Sequence, residues 1–171
     1  MKILNKAVFM DRDDTINRDY INVHKIEDWQ WIPNAKEAIK YCNDNGYLVI
    51  IITNQSGISR GLFTFNDVNR LHNFVQGELY KIGARIDAFY ICPHHIEGTV
   101  APYNIECDCR KPSPGLILQA CKDFDIDVSQ SYVIGDKQRD CDAGINAGCK
   151  GTCLFDGVNL LDSVKKMLQN G

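Results

Sequence analysis

The sequence has no hydrophobic run long enough to cross a membrane, which takes about 18 to 20 apolar residues. Its longest apolar stretch, Tyr47–Ile52, is strand-sized. The first residues, with Lys2, Asn5 and Lys6, lack the apolar core and small-residue cleavage site of a secretory signal. Positive charge is not in excess: 19 Lys and Arg stand against 22 Asp and Glu, for a net charge of -3. There is thus no basic field to attract nucleic acid. Repeats, low-complexity tracts and linkers are also missing. The expectation is a cytoplasmic, monomeric protein of one domain over residues 1–171, with neither membrane nor nucleic acid as partner. A chain of this length buries roughly 70% of its unfolded surface and needs no disulfide scaffold.

What is present in quantity is cysteine, at 8 residues. Cys42, Cys121, Cys141, Cys149 and Cys153 sit singly among apolar or helical residues, where a free thiol behaves as a small hydrophobe. Cys92, Cys107 and Cys109 instead cluster with His94 and His95. Three sulfurs and one imidazole form the Cys₃His set of a closed structural zinc site, with either histidine able to serve. The segment between them, with Thr99, Pro102 and Asn104, has too little apolar content to pack as a core.

Strand and helix patterns alternate along the rest. Ala7–Met10 reads as a buried strand, and Ala35, Ala38, Ile39 and Cys42 fall on one helix face that Asn45-Gly46 ends. Tyr47–Thr53 is a β-branched run suited to a strand buried on both sides. Val68, Leu71, Val75 and Leu79 line a second helix, and Ile86–Cys92 reads as a third strand. Pro114 opens a helix with Ser113 as its N-cap and Ile117, Ala120, Cys121 and Phe124 on its apolar face. Tyr132–Gly135 and Gly151–Phe155 complete five strands, with helices near 140–146 and 160–169. This alternation predicts a doubly wound parallel α/β sheet. Asn17–Pro33 and Pro93–Pro112 break the pattern and read as functional insertions.

Ligands of such sheets bind at the carboxyl ends of the strands. There the sequence places Asp11 and Asp13, then Thr53 and Asn54, then Asp136. Asp11 and Asp13 alternate in an extended reading and so point to one side. Three converging carboxylates call for a cation, and hard oxygen ligands suit Mg²⁺ beside a phosphate.

The motifs DRDDT (11–15), TNQSG (53–57), RKP (110–112) and GDKQRD (135–140), in this order, resemble the haloacid dehalogenase superfamily of phosphatases over essentially the whole chain. Within it, DRDDTIN, TNQSGISRG and CPHH…CDCRKPSPG resemble the histidinol-phosphate and heptose-bisphosphate phosphatase branch. The resemblance implies a Rossmann-like fold with a minimal cap, a flap over 17–33 and a zinc loop over 92–110. It implies Asp11 as nucleophile forming an aspartyl phosphate, Asp13 as general acid and base, and Thr53 and Lys111 as holders of the phosphoryl oxygens. Mg²⁺ would contact Asp11, the Asp13 backbone carbonyl and Asp136. Zinc is assigned to Cys92, His94, Cys107 and Cys109, and substrate contacts to Asp19, Asn54, Gln55, Ser56, Arg110 and Lys137.

The implied reaction is removal of the 7-phosphate from D-glycero-D-manno-heptose 1,7-bisphosphate, a sugar phosphate used in lipopolysaccharide biosynthesis. Two points favour it over histidinol phosphate: no dehydratase domain is fused, and Arg110 with Lys137 suits a second phosphate. A receiver-type signalling domain also forms an aspartyl phosphate, but it has no use for Asp13 or a zinc loop. Two departures stand out. Asp14 occupies a place that is usually glycine, and Tyr20-Ile21-Asn22-Val23 replaces the branch's Gly-Tyr-Val.

Overall fold

The structure, a computed structural model, describes residues 1–171. Five strands, β1 (Ala7–Met10), β2 (Leu48–Asn54), β3 (Ala88–Cys92), β4 (Tyr132–Gly135) and β5 (Gly151–Leu154), alternate with α1 (Ala35–Asp44), α2 (Phe65–Tyr80), α3 (Gly115–Asp123), α4 (Gln138–Ala147) and α5 (Leu160–Gln169). The strands form one parallel sheet in the order β3-β2-β1-β4-β5.

Because successive side chains on a strand face opposite ways, each strand feeds two cores. Val8, Met10, Val49, Ile51 and Ile134 pack against the apolar faces of α1, α2 and α5. Ala7, Phe9, Ile50, Ile52 and Val133 pack against α3 and α4. Both faces are therefore covered, as a parallel sheet requires, and each fully buried large apolar side chain contributes about 1.5 to 3 kcal/mol. The helix faces read from the sequence are the buried ones: Ala35, Ala38, Ile39 and Cys42 on α1, and Val68, Leu71, Val75 and Leu79 on α2.

Several boundaries differ from the sequence pattern. β3 starts at Ala88 because Ile86 exchanges backbone hydrogen bonds with the Gln76 side chain, and the Asp87 carboxylate accepts from the Val49 amide. Ser113 does not cap α3. Pro114 holds that place with no side-chain bond, and the Gly115 amide donates to the Asp108 carbonyl instead. The α4 helix begins two residues earlier than the pattern suggests, with Asp140 bonding back to the Lys137 amide.

The order of strands reverses between β1 and β4, so the chain leaves these neighbours in opposite directions and opens a crevice at their carboxyl ends. The two insertions flank that crevice. Residues 17–33 hold a single 3₁₀ turn, Ile26–Asp28, and are tied back by Arg18 to Gln30 and Ile32 to Ile16 backbone bonds.

Candidate active site

The segment after β1 is not extended. It curls so that the Arg12 carbonyl accepts from the amides of Thr15, Ile16 and Asn17. Asp14 lies in the left-handed region at φ 59°, which aspartate tolerates better than most residues. Its carboxylate accepts from the Asp19 amide at 3.0 Å, anchoring the flap. This curl, rather than strand alternation, brings Asp11 and Asp13 to the same cleft. The cleft has a volume of about 250 Å³ and twelve lining residues, none hydrophobic.

Lys111 lies beneath it, only 3% exposed. Its ammonium donates to Asp11 Oδ1 at 2.7 Å and to the Ile52 carbonyl at 2.8 Å, and forms an ion pair with Asp140 Oδ1 at 2.8 Å. Burial opposes its charge, but Asp11 and Asp140 outweigh that and hold its pKa above the ordinary lysine value. For Asp11, burial dominates and lifts the carboxyl to about 7, with Lys111 opposing and Asp140 reinforcing.

Asp140 is the residue that sequence reasoning passed over, although it closes the GDKQRD motif. It is fully buried one helical turn after Asp136. Gly135 makes room for it, since a Cβ there would lie 2.4 Å from the Asp140 carboxylate. Carboxylate oxygens of Asp11, Asp136 and Asp140 lie within 4.8 Å of one another, and Asp136 Oδ1 is buried with no hydrogen-bond partner. An unpartnered oxygen within an acidic, oxygen-only cluster fits a divalent cation such as Mg²⁺.

Asp13 points elsewhere in the cleft. Its Oδ1 accepts from Arg12 Nε and Nη2 at 2.9 and 2.8 Å and from Asn17 at 3.1 Å, while Oδ2 accepts from Gln55 at 3.0 Å. Arg12 is fully buried and also donates to the Val23 carbonyl of the flap at 2.6 Å. Its Nη1 faces Nε2 of His72, 3.3 Å away on α2. Burial, and then Arg12, hold the His72 imidazole down at about 3, so it is neutral.

Thr53 is buried below the cleft and accepts from Gln55 Nε2 at 2.8 Å. Asn54 bonds both backbone groups of Lys111, at 3.1 and 3.3 Å, so its amide fixes the lysine's backbone. Asp19, Ser56, Arg110 and Lys137 line the cleft, as do Asn22 and Arg139, which sequence reasoning did not single out. Burial and then Asp13 raise the Asp19 carboxyl. Tyr20 turns outward to bond Gln30, and Ile21 and Asn22 both take left-handed backbone, at φ 71° and 61°.

At the β3 end, Cys92, His94, Cys107 and Cys109 converge. Cys109 Sγ lies 3.2 and 3.5 Å from the other two sulfurs and 3.4 Å from His94 Nδ1, and Cys92 Sγ lies 3.7 Å from that nitrogen. Tetrahedral zinc–sulfur bonds of about 2.3 Å need sulfur separations of about 3.8 Å, so modest expansion would admit the ion. With no cation, the Cys109 thiol is held well above its usual value by its bond to Cys92 and by burial. His95 faces away, accepting from the Glu97 amide beside Arg60, which leaves His94 as the nitrogen of the set. All eight cysteines are free.

A doubly wound sheet with an acidic cluster at its switch point and a buried lysine set against it defines a phosphatase of the haloacid dehalogenase superfamily. Residues 6–147 match the model of the polynucleotide kinase 3 phosphatase family, and the chain belongs to that family. The D-glycero-beta-D-manno-heptose-1,7-bisphosphate 7-phosphatase of Rhodopseudomonas palustris is 44% identical over 162 residues, covering 95% of this chain and 89% of that protein. The D-glycero-alpha-D-manno-heptose-1,7-bisphosphate 7-phosphatase of Burkholderia mallei is 42% identical over 151 residues, 88% of this chain and 80% of that one. The crystal structure of a D,D-heptose 1,7-bisphosphate phosphatase from B. bronchiseptica, complexed with magnesium and phosphate, aligns with a TM-score of 0.81 and 28% identity. That alignment covers 97% of this chain and 99% of the other.

Proposed function

We propose that this phosphatase, a single domain over residues 1–171, removes the 7-phosphate of D-glycero-D-manno-heptose 1,7-bisphosphate through an aspartyl phosphate on Asp11. The observation that carries the reading is the cleft itself: carboxylates at its floor, no hydrophobic lining, and Arg110 and Lys137 on its rim. A polar sugar with a second phosphate matches such a surface better than an apolar leaving group. The names of the relatives point the same way.

An Asp11 oxygen attacks phosphorus while the bond to the sugar oxygen breaks. Asp13, as general acid and base, gives a proton to the leaving alkoxide and then takes one from the water that cleaves the acyl phosphate. Arg12, Asn17 and Gln55 orient its carboxyl. Lys111 and the Thr53 hydroxyl stabilise charge on the equatorial phosphoryl oxygens. Asp19 and Ser56 accept from and donate to sugar hydroxyls, and Asn54 and Gln55 act by positioning Lys111 and Asp13.

Asp11, Asp136 and the Asp13 carbonyl would hold Mg²⁺, with Asp140 closing the cluster. The ion supplies positive charge between a carboxylate and a phosphate dianion that would otherwise repel. Cys92, His94, Cys107 and Cys109 would hold Zn²⁺, and the bound ion would fix the loop that delivers Arg110 and Lys111.

The test is phosphate release with Mg²⁺ from each anomer of heptose 1,7-bisphosphate and from histidinol phosphate. The heptose is expected to be preferred in kcat/KM by more than about a hundredfold, about 2.7 kcal/mol of discrimination. Asp11→Asn should abolish release from every substrate. A preference for histidinol phosphate would overturn the substrate assignment, and turnover by Asp11→Asn would overturn the mechanism.

A further inference from the structure

Arg139 takes no part in the mechanism above, yet it lines the cleft beside Arg110 and Lys137. These residues come from two separate elements, Arg110 from the end of the cysteine loop and the other two from the start of α4. Lys137 has a partner, Asp136, at 3.3 Å. Neither Arg110 nor Arg139 joins any of the chain's salt bridges, though exposed arginines elsewhere pair readily, as Arg60 does with Glu97 and Arg85 with Asp87. Arg110 Nη1 is moreover buried with no hydrogen-bond partner. Two guanidinium groups thus line one cleft, neither of them paired with a carboxylate. An oxyanion that accepts from both offers what the protein does not supply, and guanidinium forks suit phosphate oxygens.

We propose that Arg139 is a specificity-determining residue that, with Arg110, binds the second, non-reacting phosphate of a sugar bisphosphate. The proposal deepens the reading above and rests on it for the identity of the sugar. A dianion that accepts from both guanidinium groups would couple affinity for the second phosphate to both residues.

The experiment compares Arg139→Gln and Arg139→Lys with the unaltered enzyme, loaded with Mg²⁺. Each is assayed on two pairs of substrates: heptose 1,7-bisphosphate with heptose 7-phosphate, and fructose 1,6-bisphosphate with fructose 6-phosphate. For Arg139→Gln the bisphosphate-to-monophosphate ratio of kcat/KM is expected to fall at least tenfold, through KM, with Arg139→Lys recovering part of the loss. An unchanged ratio in both pairs, or an equal loss on mono- and bisphosphates, would overturn the role of Arg139. Because the fructose pair reports on the second phosphate whatever the natural sugar is, failure of the heptose assignment remains distinguishable from failure of this one.

Discussion

Lys111 shows how closely the chemistry is tied to folding. Its ammonium sits among two carboxylates and a carbonyl, all buried. Removing one partner of such a group leaves uncompensated charge in a medium that solvates it poorly. Lys111→Met is therefore expected to lose about 3 to 5 kcal/mol of stability, measured by urea unfolding in Mg²⁺-free buffer. A loss under 1 kcal/mol would mean that water reaches the cluster. Asp11, Asp13 and Asp136 were legible because they follow strands directly, and Lys111 because RKP completes the ordered set of motifs. The hydrogen bonds of Asn54 and Gln55 and the placement of Asp140 were not, since each is defined by a partner distant in sequence or by a helix register. Asn54, for instance, acts on a backbone 57 residues away.

Elements built from periodic apolar residues matched the sequence pattern closely, while the elements that end on polar contacts did not. Ser113 has the chemistry of an N-cap, yet the helix start is set by the Gly115 amide reaching Asp108. The cysteine loop has no periodicity at all; its three cysteines and His94 converge, and backbone bonds to Ser59 and between His95 and Tyr103 hold it further. Chelating zinc is accordingly expected to accelerate protease cleavage within 93–110 while leaving the sheet resistant. Phosphatase activity should fall with it, because Arg110 and Lys111 follow the last ligand directly. Limited proteolysis with mass mapping checks this, and unchanged cleavage of the loop would rule out a structural metal.

At the scale of the whole molecule, two buried groups give stability opposite pH slopes. Asp11 sits near 7 in the fold against 3.8 for the free side chain, so the folded state binds more protons between those values and stability falls as pH rises. His72 sits near 3 against 6.5, so the unfolded state binds more protons and stability is lost as pH falls below about 6.5. Between about pH 4 and 6.5 the two slopes oppose and largely cancel, so urea unfolding in Mg²⁺-free buffer should show a nearly flat profile for the unaltered protein. Asp11→Asn should leave stability falling toward acid, and His72→Gln should leave it falling toward neutral pH. If Asp11→Asn leaves the profile unaltered, burial does not govern that carboxyl.

The layout of the cleft has a consequence for substitution. Asp11, Thr53, Lys111 and Asp140 are packed into the fold, and Gly135 admits no side chain beside them. Lys137 and Arg139 stand on an exposed helical turn, where substitutions generally cost little stability. Replacements on that turn are therefore expected to change substrate preference at little cost in stability, whereas replacements among the buried residues should cost the fold and the chemistry together.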